Sequence, residues 1–235
     1  MNSMNENDVM MRKTPFHSRV EAACEINFWG NWMGYTTPDA YFDVELEYFA
    51  VRSTTGVFDL SPMNKYRISG SDAVNFLDRM MTRNMHKLAI DRVAYVVWCN
   101  DAGQLMDDGT VFRLAKNEYR LCSYARANDW LHWCSLGFDV RITDETDQVA
   151  ALAVQGPTSC STLTAMGLEG LEELKPFDIR NYSFDGEILS VSRTGFTGDL
   201  GYELWITPSK AEDLWDRLFE AGKPFLIKPF GSHAL

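Results

Sequence analysis

The chain is short of positive charge, of histidine and of patterned cysteine, and each shortage removes a class of function. Its 235 residues carry 22 Lys and Arg against 33 Asp and Glu, a formal net charge of −11. Nucleic-acid phosphates and anionic membrane surfaces both demand clustered cations, so neither is an expected partner. The four histidines (His17, His86, His132, His233) are scattered. The five cysteines (Cys24, Cys99, Cys122, Cys134, Cys160) are odd in number, widely spaced and free of any C-x-x-C. That pattern points to reduced thiols in a reducing compartment, not to a disulfide frame, and no metal ligand is assigned. No apolar run approaches the roughly eighteen residues of a spanning helix. Residues 1–11 are polar and acidic without a signal-peptide apolar stretch, so they read as a disordered lead-in.

What the chain does have is core-forming material, 46% hydrophobic and 13% aromatic, enough for two compact units. Two rounds of mixed strands and helices follow one another. The first reads as a strand over 65–69, a helix over 71–82 capped by Ser71 or Asp72, and a strand over 93–99. A turn over 100–103, strands over 110–114 and 119–123, a helix over 125–136 and a strand over 138–142 complete it. That order is the pattern of a ferredoxin-like α+β unit. After an acidic connector over 144–147, the second round has a strand over 148–154 and a helix from Pro157 to Met166. Strands over 188–192 and 202–207 follow, then a helix from Ser209, read as its cap, to Ala221. The Trp-, Gly-, Tyr- and Pro-rich segment 28–41 reads either as a loop packed by its aromatics or as part of a cleft wall.

Two constellations carry chemistry. In R-T-G-F-T-G-D-L-G-Y-E over 193–203, three glycines at intervals of three run into an alternating strand. Glycine lets backbone approach a ligand closely and accept φ > 0. The spacing is wrong for a dinucleotide fingerprint, and no Gly-Lys-Ser/Thr closes a phosphate-binding loop. Glu203, at the start of the strand behind the loop, is suited to grip a flat ring that offers a ring N–H and an amino group, as a pterin does. Arg193 is read either as a tie from the loop to a backbone carbonyl or to Asp199, or as a ligand contact. The second constellation is the acidic pair Asp107-Asp108. Adjacent strand residues point to opposite faces, so only one of the two can face a given cleft. Gln155 and Asn100 are read as groups that orient a loop or the ring.

The first of these strings resembles the R-T-G-Y-T-G-E-x-G-Y/F-E signature of the aminomethyltransferase family, the T-protein of the glycine cleavage system and its relatives. N-D-A-G-Q-L-M-D-D over 100–108 resembles the family's N-x-x-G-G-x-x-D-D. R-S-T-T-G-V-F-D-L-S over 52–61, S-G-S-D-A with Phe76-Leu77, V-Q-G-P over 154–157 and T-P-F over 14–16 match further family segments in order. The resemblance implies an α+β fold with two ferredoxin-like, antiparallel-sheet domains of the T-protein folate-binding type. One spans 51–143; the other, discontinuous in sequence, joins 1–50 to 144–235. It also implies tetrahydrofolate as cofactor, Asp107 as the catalytic acid with Asp108 as its fallback, and Glu203, Phe196, Arg193, Asn100 and Gln155 around the folate.

The string K-P-F-G-S-H-A-L over 228–235 stops inside a family segment that continues into a further helix and a C-terminal β domain. A truncated, inactive fragment is therefore expected. The expected function is tetrahydrofolate-dependent transfer of an aminomethyl or methyl group from a small molecule or a lipoyl-carrier protein, in the cytoplasm, or in the mitochondrial matrix if the source is eukaryotic. The alternative is a non-catalytic folate-binding maintenance or regulatory protein of the same family; the K-G-C-Y-x-G-Q motif of that branch is absent. A detached folate domain of a flavin-linked demethylase is a third reading. Four departures bear on the donor: Phe196 stands where the family usually has Tyr, Gln104 replaces the second Gly of a pair, Pro62 stands where His is common, and Gly109 follows the acidic pair.

Overall fold

A computed structural model describes residues 11–235. The lead-in expected over 1–11 lies outside them, except for Met11. The chain opens with α1 (His17–Ala23), the hairpin β1 (Phe28–Trp32) and β2 (Tyr35–Ala40), α2 (Val44–Ser53) and β3 (Gly56–Asp59). The first expected round follows as β4 (Asn64–Ser69), α3 (Ala73–Met80), β5 (Arg92–Cys99), β6 (Leu105–Ala115), β7 (Glu118–Ser123), α4 (Asn128–Cys134) and β8 (Arg141–Asp144). The second comprises β9 (Ala150–Gln155), α5 (Ser159–Ala165), β10 (Ile179–Phe184), β11 (Glu187–Ser192), β12 (Gly201–Ile206), α6 (Ala211–Gly222) and the short β13 (Lys228–Pro229).

The fold is α+β with antiparallel sheets, as expected. The smaller sheet has the order β5-β6-β7-β4-β8, every neighbouring pair antiparallel. The larger has the order β10-β11-β12-β9-β3-β13, antiparallel except at its β3–β13 edge. The smaller sheet has one strand more than a four-stranded ferredoxin-like unit, because β5, β6 and β7 form a meander between the two helices. The chain changes sheets between β3 and β4, at residues 60–63, not at residue 51. At that crossing Lys65 is fully buried, its Nζ donating to the carbonyls of Ser61 (2.8 Å) and Met63 (2.9 Å).

Strand alternation sorts each sheet into two faces. In the larger sheet Ala150, Leu152, Val154, Tyr202, Leu204 and Ile206 pack against Leu163 of α5, Leu214 and Leu218 of α6, and Phe16 and Val20 at the start of the chain. In the smaller sheet Ile68, Val96, Val111 and Leu121 pack against Phe76 and Leu77 of α3 and Leu131 of α4. The opposite faces meet each other: Phe58, Ala151, Ala153 and Trp205 from the larger sheet join Val93, Phe112 and Cys122 from the smaller. Helices therefore lie outside and two sheets inside. Ala151 and Ala153 leave room between the sheets that larger residues would fill.

Several local expectations need correcting. Segment 28–41 is a hairpin, turned at Met33 (φ 51°) and Gly34 (φ 84°), a left-handed pair that suits a two-residue turn. Strand β6 starts five residues before the expected 110, so both acids of the pair lie on it. The strand expected over 138–142 is β8, shifted toward the acidic connector, because Phe138 instead packs on Phe76 with ring centroids 5.9 Å apart. Ser209 does not cap α6; Pro208 starts a single 3-10 turn that leads into it. Helices α1 and α2 and strands β3 and β10 were not expected. Asp43 caps α2 through Leu46 N (3.0 Å), and the buried Glu47 carboxylate accepts from the backbone N–H groups of Tyr41, Phe42 and Gly231, tying the last residues to β2. No helix among the described residues is long and apolar enough to cross a membrane.

Candidate functional site

A cavity of about 630 Å³ opens between the inner faces of the two sheets. The larger sheet contributes Phe58 and Glu203, and the glycine loop adds Gly195 and Phe196. The smaller sheet contributes Tyr95, Asp108, Thr110 and Cys122, while the β1–β2 hairpin supplies Asn31, Trp32, Thr37 and Asp39 as a third wall. Segment 28–41 thus serves as cleft wall. Burial pushes the Cys122 thiol up to about 12, so this cysteine is an inert part of the lining.

Glu203 reaches the cavity because alternation along β12 turns Tyr202 and Leu204 to the helices and Glu203 and Trp205 to the space between the sheets. It is only 6% exposed, and desolvation pushes its carboxyl up to about 7, against lowering by the hydrogen bond from Thr194. Thr194 Oγ1 donates to Glu203 Oε2 at 2.6 Å. That uses the Thr194 proton, so Ser192 Oγ is the donor in its 2.7 Å contact with Thr194, and Trp205 Nε1 donates to Ser192 Oγ at 3.1 Å. The relay fixes one carboxylate oxygen. Oε1 accepts no hydrogen bond from the described residues.

The glycine loop is held from beneath by Gln155, which is fully buried. Gln155 Nε2 donates to the carbonyl of Tyr202 (3.2 Å), and Thr197 Oγ1 donates to Gln155 Oε1 (3.1 Å). A Cβ at Gly195 or at Gly201 would lie 2.1 Å from that same Oε1, which is the steric reason for glycine at both ends. Gly198, between them, has φ +78° and open space around it, so its need is conformational. Gln155 thus orients the loop and does not line the cavity. Arg193 turns away too: its guanidinium donates to the carbonyl of Leu174. Asp199 instead pairs with Arg52, at 2.8 Å, and Arg52 also donates to the carbonyl of Thr197 at 2.7 Å. Phe196 is half exposed and meets Phe58 edge-on, with centroids 6.0 Å apart.

Asp107 and Asp108 part as strand geometry requires. Asp108 lines the cavity and accepts from Tyr95 Oη at 2.8 Å. Asp107 is not among the lining residues; its carboxylate accepts from the backbone N–H of Asp108 (2.9 Å) and of Ala125 (3.3 Å). Asn100 is also outside the cavity, spending its amide on the β5–β6 turn through Ala102 N, Gln104 N and Gln104 Oε1. The structure therefore gathers Glu203, Phe196 and Asp108 at one cavity and leaves Asp107, Arg193, Gln155 and Asn100 off its surface. Sequence reasoning missed Asp39, Trp32, Tyr95 and Tyr124. The alternation of β5 around Tyr95 was available as a signal for one of them; Asp39 and Trp32 depend on a hairpin whose composition resembles a loop, and Tyr124 directly follows β7.

Comparison with known proteins agrees with this architecture. The model of the GCVT N-terminal domain matches residues 17–235. An aminomethyltransferase of Clostridium botulinum (strain Okra / Type B1) is 34% identical over 206 residues, covering 86% of this chain and 56% of its own. One from Thermotoga maritima is 32% identical over 227 residues, covering 94% and 61%. The chain thus spans a little over half the length of the curated relatives it matches. The solved glycine cleavage system aminomethyltransferase T from Bartonella henselae superposes with a TM-score of 0.83 at 25% identity, over 95% of this chain and 60% of that one. A chain of the heterotetrameric sarcosine oxidase from Corynebacterium sp. U-96 shares the fold, with a TM-score of 0.58 at 14% identity over 91% of this chain and 96% of that one. With the family model covering nearly the whole chain, the protein belongs to the family of the GCVT N-terminal domain.

Proposed function

We propose that the cavity between the sheets holds the pterin ring of tetrahydrofolate, and that the chain is the folate-binding part of a tetrahydrofolate-dependent one-carbon transferase. The observation that carries this reading is Glu203, a buried carboxylate facing the cavity with one oxygen fixed by Thr194 and the other accepting no hydrogen bond from the described residues. A ring N–H and an exocyclic amino group supply the two donors such a carboxylate wants. Phe196 offers an apolar face beside it. Bound tetrahydrofolate supplies a nucleophilic ring nitrogen that takes up the one-carbon unit.

Asp108 enters the same cavity from the opposite sheet, and its Oδ2 is oriented by the Tyr95 hydroxyl. It is the acid placed to accept a proton or to stabilise positive charge on the group in transit. The catalytic role expected of Asp107 is accordingly proposed for Asp108. An acid in that position favours a transferase over a folate-binding maintenance protein. The donor is a small methylated or aminomethylated molecule, or an aminomethyl group on a lipoyl carrier protein.

The test is calorimetric titration of the chain with reduced folate. Wild type is expected to bind, and Glu203→Gln to weaken binding by about 1–3 kcal/mol through loss of a charge-assisted pairing. Equal affinity would remove Glu203 from the site, and absence of binding by wild type would remove the reading.

A further inference from the structure

The two sheets are joined by chain on one side. The chain passes from the larger sheet to the smaller between β3 and β4 and returns between β8 and β9. Strands β4 and β8 lie together at one edge of the smaller sheet, and β3 and β9 are neighbours in the larger. The far edges are β5 and β10, with no crossing between them among the described residues. An edge strand carries unpaired N–H and C=O groups. Edges held by side-chain packing alone are free to splay, and a cavity between two such sheets changes width when they do.

These far edges are hydrogen-bonded to each other. Arg92, the first residue of β5, and Asp178, just ahead of β10, form an antiparallel bridge. Val93 N donates to the Phe177 carbonyl at 2.8 Å, and Ile179 N to the Asp91 carbonyl at 2.9 Å. The Arg92 guanidinium pairs with the Asp178 carboxylate across the same bridge, and that carboxylate also accepts from Lys175 N at 2.7 Å. Asp91 (φ 59°) and Phe177 (φ 69°), whose carbonyls take the two backbone bonds, are both left-handed. A bulky side chain rarely adopts that conformation, and it persists where the surroundings over-determine it. The bridge also reaches the supports of both cavity acids. Arg193 N donates to the Asp178 carbonyl and Phe177 N to the Arg193 carbonyl, each at 2.9 Å, and Arg193 precedes Thr194, the hydroxyl donor to Glu203. On the other sheet Val93 stands two positions before Tyr95, the hydroxyl donor to Asp108. Arg92 and Asp178 themselves stand outside the cavity lining.

We propose that the Arg92–Asp178 bridge is a clasp that fixes the width of the cavity at the edge where no chain crosses, which makes Arg92 and Asp178 positioning residues for a ligand held between the sheets. The consequence for folate rests on the proposed function; the clasp itself does not. Walls already held at their working separation spare a ligand the cost of ordering them. Without the ion pair, the left-handed backbone at Asp91 and Phe177 loses part of what holds it, so the two bonds of the bridge open together.

The test compares Arg92→Gln, Asp178→Asn and the double variant with Leu218→Val, a control in the helix layer outside the larger sheet. Gln and Asn remove the charges, and Asn keeps an acceptor for Lys175 N. Amide hydrogen exchange is read by NMR at Val93 on one sheet and at Ile179 and Arg193 on the other, tetrahydrofolate affinity by calorimetry, and the melting temperature alongside. Each single variant is expected to speed exchange at all three amides at least roughly tenfold, through local opening of the clasp, and to weaken tetrahydrofolate at least roughly threefold. The double variant is expected to match the single ones, because one clasp is broken once. The control is expected to lower the melting temperature and to leave both other readouts at the wild-type value. The inference is overturned if the three amides do not respond together, if a variant with loosened amides binds tetrahydrofolate as tightly as wild type, or if the control weakens binding as much as the clasp variants do. Absence of tetrahydrofolate binding by wild type removes the proposed function, and exchange at the three amides alone then decides the clasp.

Discussion

Glu203 and Asp108 face one cavity from opposite sheets, yet their surroundings treat the negative charge in opposite ways. Glu203 sits in the middle of the larger sheet, on a fully buried strand, and its charge is expensive there. Asp108 sits near the turn end of the β5–β6 hairpin, exposed to water. A carboxylate that must recognise fixed N–H donors benefits from a dry, preorganised setting in which each hydrogen bond counts. One that must take up or release a proton benefits from contact with solvent. Under the proposed function, the fold separates these tasks by placing one acid at a strand centre and the other at a strand end.

The largest expected effect isolates the cost at Glu203. Its folded-state value lies above the ordinary 4.5, so the folded protein keeps a proton that the unfolded chain releases, and stability falls as pH rises from about 4.5 through about 7. Glu203→Gln has no proton to lose. Relative to wild type, this variant should gain stability between about pH 4 and about pH 8. At about 1.4 kcal/mol per unit, that window gives an upper limit of about 3 kcal/mol. Urea denaturation of both proteins at the two pH values reads it directly, and a pH-independent difference would mean that Glu203 is hydrated. The same proton governs the ligand. N–H donors need the carboxylate, so reduced-folate affinity should fall roughly tenfold for each pH unit below about 7, and Glu203→Gln should flatten the profile.

Next come the glycines beneath the loop. Gly201→Ala drives a Cβ to 2.1 Å from Gln155 Oε1, and Gln155 cannot retreat without giving up the carbonyl of Tyr202. Overpacking at such a site costs about 1–3 kcal/mol. Gly198→Ala meets no atom within 4 Å and pays only for its φ of +78°, about 1–2 kcal/mol. Thermal melting should rank the two in that order. If Gly198→Ala proves the worse, the loop is held by its backbone conformation and Gln155 is a bystander.

All five strands of the smaller sheet were legible, whereas in the larger sheet β9, β11 and β12 were and β3 and β10 were not. Residues 150–155 and 201–206 form uninterrupted apolar strands apart from Gln155, Gly201 and Glu203, and the interruptions themselves marked the site. Glycine spacing announced the loop because steric need at 195 and 201 restricts the residue type. The hairpin was hidden because Trp, Tyr, Gly and Pro serve equally in packed loops, and its strands are defined by pairing with each other and by the cavity they wall. Strand β3 is only four residues long, and its place beside β9 is a long-range fact that local composition cannot carry. Arg193 reads from sequence either as a loop tie, to a backbone carbonyl or to Asp199, or as a ligand contact; it donates to the carbonyl of Leu174, while Asp199 pairs with Arg52. In both cases the charge was readable and its destination was not.

The smallest effect on stability concerns the acidic pair, and it tests which acid does the work. Alternation guaranteed that Asp107 and Asp108 diverge, but choosing between them required knowing which face of β6 the second sheet covers. Phe112 turns to that sheet and Val111 to the helices, so Asp108 shares the side of Phe112. Asp108→Asn leaves the Tyr95 hydroxyl an acceptor and should change stability by less than about 0.5 kcal/mol. Asp107→Ala removes the acceptor for two backbone N–H groups and should cost about 1 kcal/mol. Turnover, read in a full-length enzyme carrying this domain, should show the reverse order. Asp108→Asn is expected to lower kcat by at least roughly tenfold while reduced-folate affinity stays at the wild-type level, as general acid–base roles of this kind contribute. Asp107→Asn is expected to leave kcat nearly unchanged. The opposite pair of results would return the catalytic role to Asp107 and would require β6 to present its other face to the cavity when ligand is bound.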